Sequence, residues 1–207
     1  GIVVFYTFLG GFLAVSWTDC IQGALMFFAI LAVPITAAMY LGGPIDTMQL
    51  IQSEFPQGLN LWGDTSDMFA LVIGIISSLG WGLGYFGQPH ILVRFMAISD
   101  AKELKKSTNI AMVWVILSLL AAIFVGLIGH VYMLPEKLVG TDAETIFLVM
   151  TERLFTPFMA GLIWSAVLAA IMSTASAQLL VTASAIANDF YANIIHKTAT
   201  DKELVLV

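Results

Sequence analysis

The amino-acid sequence predicts an all-α, polytopic helical membrane protein, and its composition is the first support for this fold class. Of the 207 residues, 59% are hydrophobic and 11% are charged, whereas soluble domains carry about 25% charged residues. The apolar residues form long runs, whereas the strands of a membrane β-barrel alternate polar and apolar residues over short segments. The net charge of −6 argues against a nucleic-acid partner. The lipid bilayer is therefore the expected environment of most of the chain.

Five apolar segments indicate where the chain meets the bilayer. Residues 1–15 are too short for a full crossing and are predicted to be the end of a helix. Each of the other four has at least the ~20 residues that a crossing needs, and they are predicted at about 19–41, 68–96, 110–133 and 157–187. Because the chain opens with Gly1 inside an apolar run, we expect it to be an internal fragment of a larger membrane protein, folded as one transmembrane domain.

The third apolar segment carries an interruption at residues 80–90, which read GWGLGYFGQPH. Four glycines and a proline are predicted to break or unwind a helix there. Since lipid cannot satisfy exposed backbone groups, such a break is stable only where it lines a cavity or is covered by other helices. Secondary transporters bind substrates and coupling ions at broken helices near the bilayer midplane. The interruption therefore predicts a transport protein.

A substrate pocket is predicted at the interruption. Trp81, Tyr85 and Pro89 are spaced four residues apart, so on a helix they share one face. Freed backbone groups and the side-chain amide of Gln88 would add hydrogen bonds to a bound solute. Packing is the alternative, because glycine-rich faces let membrane helices approach each other closely. Four glycines followed by Gln88, Pro89 and His90 are more than packing requires, and they favour the binding interpretation.

A run rich in hydroxyl groups in the last span is a candidate sodium site. Hard cations prefer oxygen ligands, and Ser173, Thr174 and the carbonyl of Ala170 would offer three oxygens on one side of an ion. In the alternative interpretation, these hydroxyls donate to the carbonyl four residues earlier and serve helix contacts. The spacing alone favours that second interpretation.

Asp19 has two interpretations that the residues alone leave open. A carboxylate inside a membrane span is costly and is a functional candidate, here for an ion pathway. Residues 16–19 also resemble a helix N-terminus, where a capping side chain contributes about 1 kcal/mol.

Signals for an enzyme or a resident cofactor are missing from the sequence. There is no phosphate-binding glycine loop, no nucleophile elbow and no pair of catalytic carboxylates. His90 and His130 have no partners at the spacing of metal ligands. The sequence therefore predicts that the protein is not an enzyme and holds no cofactor.

The distribution of Arg and Lys predicts the orientation in the membrane. Residues 1–93 contain neither, whereas Arg94 is followed by Lys102, Lys105 and Lys106. Because basic residues favour the cytoplasmic side, we expect the loop at residues 97–109 and the C-terminal tail to be cytoplasmic. The acidic loop at residues 42–67 is expected outside.

Three blocks of the sequence, at residues 10–19, 80–97 and 165–180, resemble the sodium:solute symporter family. The resemblance extends over essentially the whole chain and implies a LeuT-type fold, in which two inverted five-helix repeats each begin with a broken helix. It implies that the glycine-rich helix opens the second repeat. The helix that opens the first repeat would then belong to the remaining helices of the parent transporter, and the fragment alone is not expected to transport.

The resemblance also implies a function and roles for the candidate residues. The function is sodium-coupled secondary active import of L-proline by alternating access across the bacterial plasma membrane, with Na⁺ as the coupling ion. The implied roles are proline binding by Trp81, Tyr85 and Pro89, half of the sodium site at Ala170, Ser173 and Thr174, and an ion pathway at Asp19. Alternatives are symport of another small solute, such as pantothenate or a monocarboxylate, and a symporter-like sensor domain of a histidine kinase. The lack of charged rings in the spans argues against a channel.

Overall fold

The computed structural model describes residues 1–60, 67–85, 87–98, 100–134, 140–200 and 203–204 of the chain. Throughout these ranges the regular structure is helical, with no strand. The α-helices are α1 (Ile2–Tyr40), α2 (Pro44–Glu54), α3 (Met68–Tyr85), α4 (Pro89–Met96), α5 (Ala101–Tyr132), α6 (Ile146–Leu154) and α7 (Pro157–Ser184). A π-helical segment, Ala185–Ile195, continues α7, and short 3₁₀ turns lie at Pro56–Leu59 and Gly140–Thr145.

Four of the described helical stretches are long and apolar enough to cross a membrane: Ile2–Tyr40, Met68–Tyr85, Ala101–Tyr132 and Pro157–Ile195. The chain is therefore an all-α, multi-pass membrane protein, as predicted. The third of these stretches is longer than expected, because the predicted loop at residues 97–109 is helical from Ala101 onward. The side chain of Asp100 caps this helix by accepting a hydrogen bond of 2.9 Å from the backbone N–H of Lys102.

The first helix differs from the prediction of a helix end at residue 15 and a new span from residue 19. Helix α1 runs through this region, and its one residue with non-helical backbone angles is Gly11, at φ 54° and ψ −148°. Glycine adopts these angles readily, whereas a residue with a Cβ is strained there. The boundary between the first two apolar segments, which the sequence predicted between residues 15 and 19, therefore lies at Gly11.

The helix-cap interpretation of Asp19 is consequently wrong. The hydroxyl of Ser16 donates to the carbonyl of Phe12 at 2.8 Å, and that of Thr18 donates to the carbonyl of Val15 at 2.9 Å. Side chains that bond back to the preceding turn belong to a helix interior. Asp19 thus lies in the middle of a helix, and its side chain serves another purpose.

The core forms where α1 packs against α7, α5 and α6, with α2 covering one end. Its buried side chains are Ala29, Val33, Ala37, Ile51, Ile128, Val131, Met150, Ile163 and Ala166. Small residues at such contacts let helix backbones approach closely, which strengthens van der Waals packing in lipid. Helices α1 and α7 are therefore the scaffold on which Asp19 and the candidate sodium residues are held.

The C-terminal tail folds back on the π-helical segment through a small hydrogen-bonded cluster. The hydroxyl of Tyr191 donates to Oε1 of Glu203 at 2.7 Å, and Nδ1 of His196 lies 2.9 Å from the same oxygen. The hydrogen bonds from Tyr191 and His196 lower the pKa of Glu203, because they stabilise its anionic form. The tail is therefore tied to the end of the last span.

Substitution of Gly11 tests whether its unusual backbone angles are an intrinsic feature of α1. A Cβ at this position would meet open space, so any loss of stability comes from backbone strain. We expect Gly11→Ala to reduce the free energy of unfolding by about 1–3 kcal/mol, measured by thermal unfolding in detergent. Gly23→Ala is the matched control, because Gly23 lies in the same helix with open space around it, and alanine there should stabilise slightly. Equal effects of the two substitutions would contradict the assignment.

Candidate functional site

The interruption of the span predicted at residues 68–96 lies between Tyr85, the last residue of α3, and Pro89, the first of α4. Because Pro89 has no N–H, it cannot donate the helical hydrogen bond to the carbonyl of Tyr85, which accepts from the N–H of Gln88 at 3.3 Å instead. Gln88 has an extended backbone, at φ −81° and ψ 115°. The carbonyl of Gln88 then accepts from the N–H groups of Ile91 and Leu92 at 3.0 and 3.2 Å, which starts the new helix.

The glycines do not unwind the helix as the sequence predicted. Gly80, Gly82 and Gly84 all lie within α3, and a Cβ built at any of them would meet nothing within 4 Å outside the helix itself. Only Gly87, in a turn, lies at the break. Phe86 is part of the predicted interruption but lies outside the described residues. Pro89 is therefore the physical cause of the break, and the glycines leave bare backbone on the helix that leads to it.

The predicted substrate residues lie around this break and are accessible. The rings of Trp81 and Tyr85 share one face of α3, with centroids 5.4 Å apart and an angle of 35° between their planes. These two side chains are 76% and 47% exposed, and α3 has no buried residue. Gln88 and Pro89 are exposed as well. The described residues thus present an exposed aromatic pair next to the break, and the binding role of these four residues stays a prediction.

The predicted sodium residues lie on one continuous helix, α7. The hydroxyl of Thr174 donates to the carbonyl of Ala170 at 3.1 Å, and the hydroxyl of the buried Ser176 donates to the carbonyl of Ser173 at 2.9 Å. Ala170 and Ser173 are half-buried, whereas Thr174 is exposed. The hydroxyl of Thr174 therefore bonds within its own helix, as the alternative interpretation expected. Its oxygen keeps a lone pair that a cation would use.

A cavity of about 340 Å³ lies beside Ala170, between α1, α5, α6 and α7. Its lining residues are apolar and include Met26, Ala29, Val125 and Ala166. Such a lining offers no side-chain ligand to an ion or to a zwitterionic solute. The ligands that complete a cation site next to Ser173 and Thr174 therefore have to come from another side of α7.

Asp19 forms an ion pair with Arg94, which joins α1 to α4. An Nη2–H of Arg94 donates to Oδ2 of Asp19. The Asp19 side chain is 10% exposed and that of Arg94 is 51% exposed. The second oxygen of Asp19, Oδ1, is buried and has no hydrogen-bond partner among the described residues. An anionic oxygen without a partner attracts cations, so this carboxylate is a functional candidate on structural grounds too.

The ion pair lies in a small cleft where α1, α4 and α7 meet. The cleft is lined by Ser16 of α1, His90 of α4 and Ala177 of α7, among others. Ala177 follows Ser173 by four residues, which is about 6 Å along a helix axis. Asp19 therefore lies about one helical turn from the candidate sodium residues, on the side of α7 that packs against α4.

Sequence reasoning missed the structural role of Arg94. It used this residue as a marker of membrane orientation only, because its partner is 75 positions away in the chain. Its need for a partner could have been inferred from the sequence, because Arg94 is the first Arg or Lys of the chain and lies near the end of an apolar span with no other charged residue.

The energetic coupling between Asp19 and Arg94 can be measured with a double-mutant cycle. Arg94→Gln leaves a nearly buried carboxylate without its partner, so we expect it to lower the free energy of unfolding by about 1–3 kcal/mol. Asp19→Asn combined with Arg94→Gln should lose less than the sum of the two single changes. Lys105→Gln, at an exposed position of α5, is the control and should change little. Additive effects in chemical unfolding would show that the two side chains are not coupled.

Comparison with protein families matches residues 1–207 to the sodium:solute symporter family. Similar curated proteins include the high-affinity proline transporter PutP of Bacillus subtilis, with 49% identity over 100% of this chain. The sodium/proline symporters of Escherichia coli and Staphylococcus aureus show 42% and 47% identity over 99% and 100% of it. No solved structure matches the chain.

The chain spans only part of these relatives: 43% of the Bacillus subtilis protein and 40% of each of the other two. The match to the family model nevertheless extends from the first residue to the last. It includes the interrupted span, the Asp19 region and the hydroxyl-rich part of α7. The chain therefore belongs to the sodium:solute symporter family.

Proposed function

We propose that this chain is part of a sodium-coupled importer of L-proline that works by alternating access in the bacterial plasma membrane. The observation that carries the proposal is the break between α3 and α4, with an accessible aromatic pair next to it, in a chain whose relatives are named proline transporters and sodium/proline symporters. Broken membrane helices are where secondary transporters bind their substrates. The protein catalyses no covalent reaction in this mechanism and needs no cofactor.

L-Proline binds at the break in this proposal. The faces of Trp81 and Tyr85 contact the apolar ring of the solute, and Pro89 shapes the turn next to it. The side-chain amide of Gln88 and backbone groups at the break hydrogen-bond the polar end of proline. The exposure of Trp81 and Tyr85 on α3 supports this role, because a solute can reach both rings. The remaining helices of the full-length transporter supply the opposite wall.

Na⁺, as transported ion, binds to the oxygens of Ala170, Ser173 and Thr174 and leaves along a path that passes Asp19. The separation of about one helical turn between Ser173 and the Asp19 cleft supports this path. When the ion approaches the buried Oδ1 of Asp19, it competes with Arg94 for the carboxylate and loosens the contact between α1 and α4. Moving one charge through 100 mV supplies about 2.3 kcal/mol, which adds to the sodium gradient in driving uptake.

The orientation in the membrane follows from the basic residues. Lys102, Lys105 and Lys106 lie on the first turns of α5, and the tail with Lys197 follows the last span. Both segments face the cytoplasm under the positive-inside rule. Arg94 and Asp19 then lie toward the cytoplasmic side of the membrane, where the transported ion leaves.

Uptake of labelled proline by cells that produce the full-length transporter containing this chain tests the sodium assignment. We expect Ser173→Ala or Thr174→Ala to raise the Na⁺ concentration for half-maximal uptake by about tenfold, which corresponds to the loss of about 1.4 kcal/mol of ion binding. Thr182→Ala is the matched control, because its hydroxyl makes the same type of bond, to the carbonyl of Gln178 at 2.8 Å. Unchanged sodium dependence in both test variants would remove these residues as ligands.

The substrate assignment has a separate test in the same cells. Trp81→Ala or Tyr85→Ala should raise the proline concentration for half-maximal uptake several-fold, because each removes a large part of the apolar contact. The Na⁺ requirement should change much less. Leu83→Ala is the control on the same helix, since the side chain of Leu83 is as exposed as that of Trp81. Uptake that persists when choline replaces sodium, or that pantothenate inhibits better than proline does, would contradict the proposed function itself.

A further inference from the structure

Helix α5 is longer than a membrane crossing requires. It has 32 residues, from Ala101 to Tyr132, which gives a length of about 48 Å, whereas the hydrocarbon core of a bilayer is about 30 Å thick. The continuous apolar run of this helix begins at Ile110. The preceding turns, held helical by the cap at Asp100, therefore extend out of the hydrocarbon as a rigid continuation of the span.

Three lysines lie on one face of this extension. Lys102, Lys105 and Lys106 have the i, i+3, i+4 spacing that places side chains next to each other on a helix. All three are exposed, and the structure gives none of them an ion pair with any described carboxylate. Asp100 is already occupied as the helix cap. Glu103, which makes no ion pair with a described residue either, is the remaining carboxylate in these turns.

With Ile110 at the edge of the hydrocarbon, the lysines would lie at the depth of the lipid headgroups. The polar layer on each side of a bilayer is about 5–8 Å thick. Counted from Ile110 along the helix axis, Lys106 is about 6 Å away, Lys105 about 8 Å and Lys102 about 12 Å. Lysine side chains are long enough to reach back toward the bilayer surface. Two ammonium groups therefore lie at phosphate level and a third lies within reach of it.

Exposed apolar side chains continue the same face into the membrane. Val113, Ile116 and Leu120 lie below the lysines along the helix and are exposed. They are on the same side because they follow Lys102 and Lys106 at multiples of the helical repeat. The face thus combines positive charge at headgroup depth with an apolar surface at the depth of acyl chains.

We propose that this α5 face, formed by Lys102, Lys105, Lys106, Val113, Ile116 and Leu120, binds an anionic phospholipid. The ammonium groups contact the phosphate and the negatively charged headgroup, and an acyl chain lies along the three apolar side chains. Lysines next to a span attract anionic lipids in this way. A free phosphate ion would gain nothing from contact with the three apolar side chains, whereas an acyl chain would, and we therefore assign a lipid. The inference requires that α5 crosses the bilayer, and it is independent of proline transport.

Native mass spectrometry of the full-length transporter that contains this chain, purified with equal amounts of phosphatidylglycerol and phosphatidylcholine, tests the proposal. The chain should retain phosphatidylglycerol in preference, and the preference should weaken as salt is added. The triple variant K102Q/K105Q/K106Q should reduce the ratio of bound phosphatidylglycerol to phosphatidylcholine by at least tenfold, since each lysine near the surface contributes about a fivefold effect. The variant with three arginines at these positions should keep the preference.

Two single variants make the test specific to this face. Glu103→Gln removes the carboxylate near the lysines that does not cap the helix, and it should raise the preference for phosphatidylglycerol. Lys197→Gln removes a positive charge from the tail and should leave the preference unchanged. The proposal is overturned if the triple glutamine variant retains the preference, if Lys197→Gln reduces it equally, or if inorganic phosphate displaces the lipid more effectively than chloride does at the same ionic strength.

Discussion

The requirement that every backbone N–H and C=O be hydrogen-bonded inside lipid governs this structure. It explains why the described regular structure is helical. The hydroxyls of Ser16 and Thr174 likewise find their partners within their own helices, at carbonyls of the preceding turn. It also gives the break before Pro89 its significance. A span that gives up a helical hydrogen bond in a membrane has to compensate for that bond, and a bound solute is one way to compensate.

The break divides the span predicted at residues 68–96 into two parts, α3 and α4, that are held in different ways. Helix α3 has no buried residue. Helix α4, with eight residues, is too short to cross a bilayer by itself, and the structure attaches it to the core through α7 and the Asp19–Arg94 pair. Helix α4 is therefore held on the scaffold by its contact with α7 and by an ion pair. Helix α3 is free to pack against further helices. In the mechanism that we propose, this asymmetry couples the ion path at Asp19 to the substrate residues on α3.

Much of the fold was predictable because membrane spans are encoded locally. The number of long apolar helices, the interruption of the second one and the common face of Trp81 and Tyr85 all follow from residue type and helical spacing. Two features were not predictable in this way. Nothing in the sequence distinguishes Gly11 from other glycines in helices, so the boundary between the first two apolar segments was assigned to Ser16–Asp19 instead. The partner of Asp19 is Arg94, 75 positions away, and only the packing of α1 against α4 and α7 brings them together.

The hydrogen bond from Thr174 to the carbonyl of Ala170 has a consequence for the proposed binding of Na⁺. A threonine in a helix divides its time between two side-chain rotamers, and a bond to the preceding turn selects one of them. With the proton directed along the helix, the oxygen dipole points outward before any cation arrives. In the sodium site that we propose, the oxygen of Thr174 therefore needs little reorientation when an ion sheds its water.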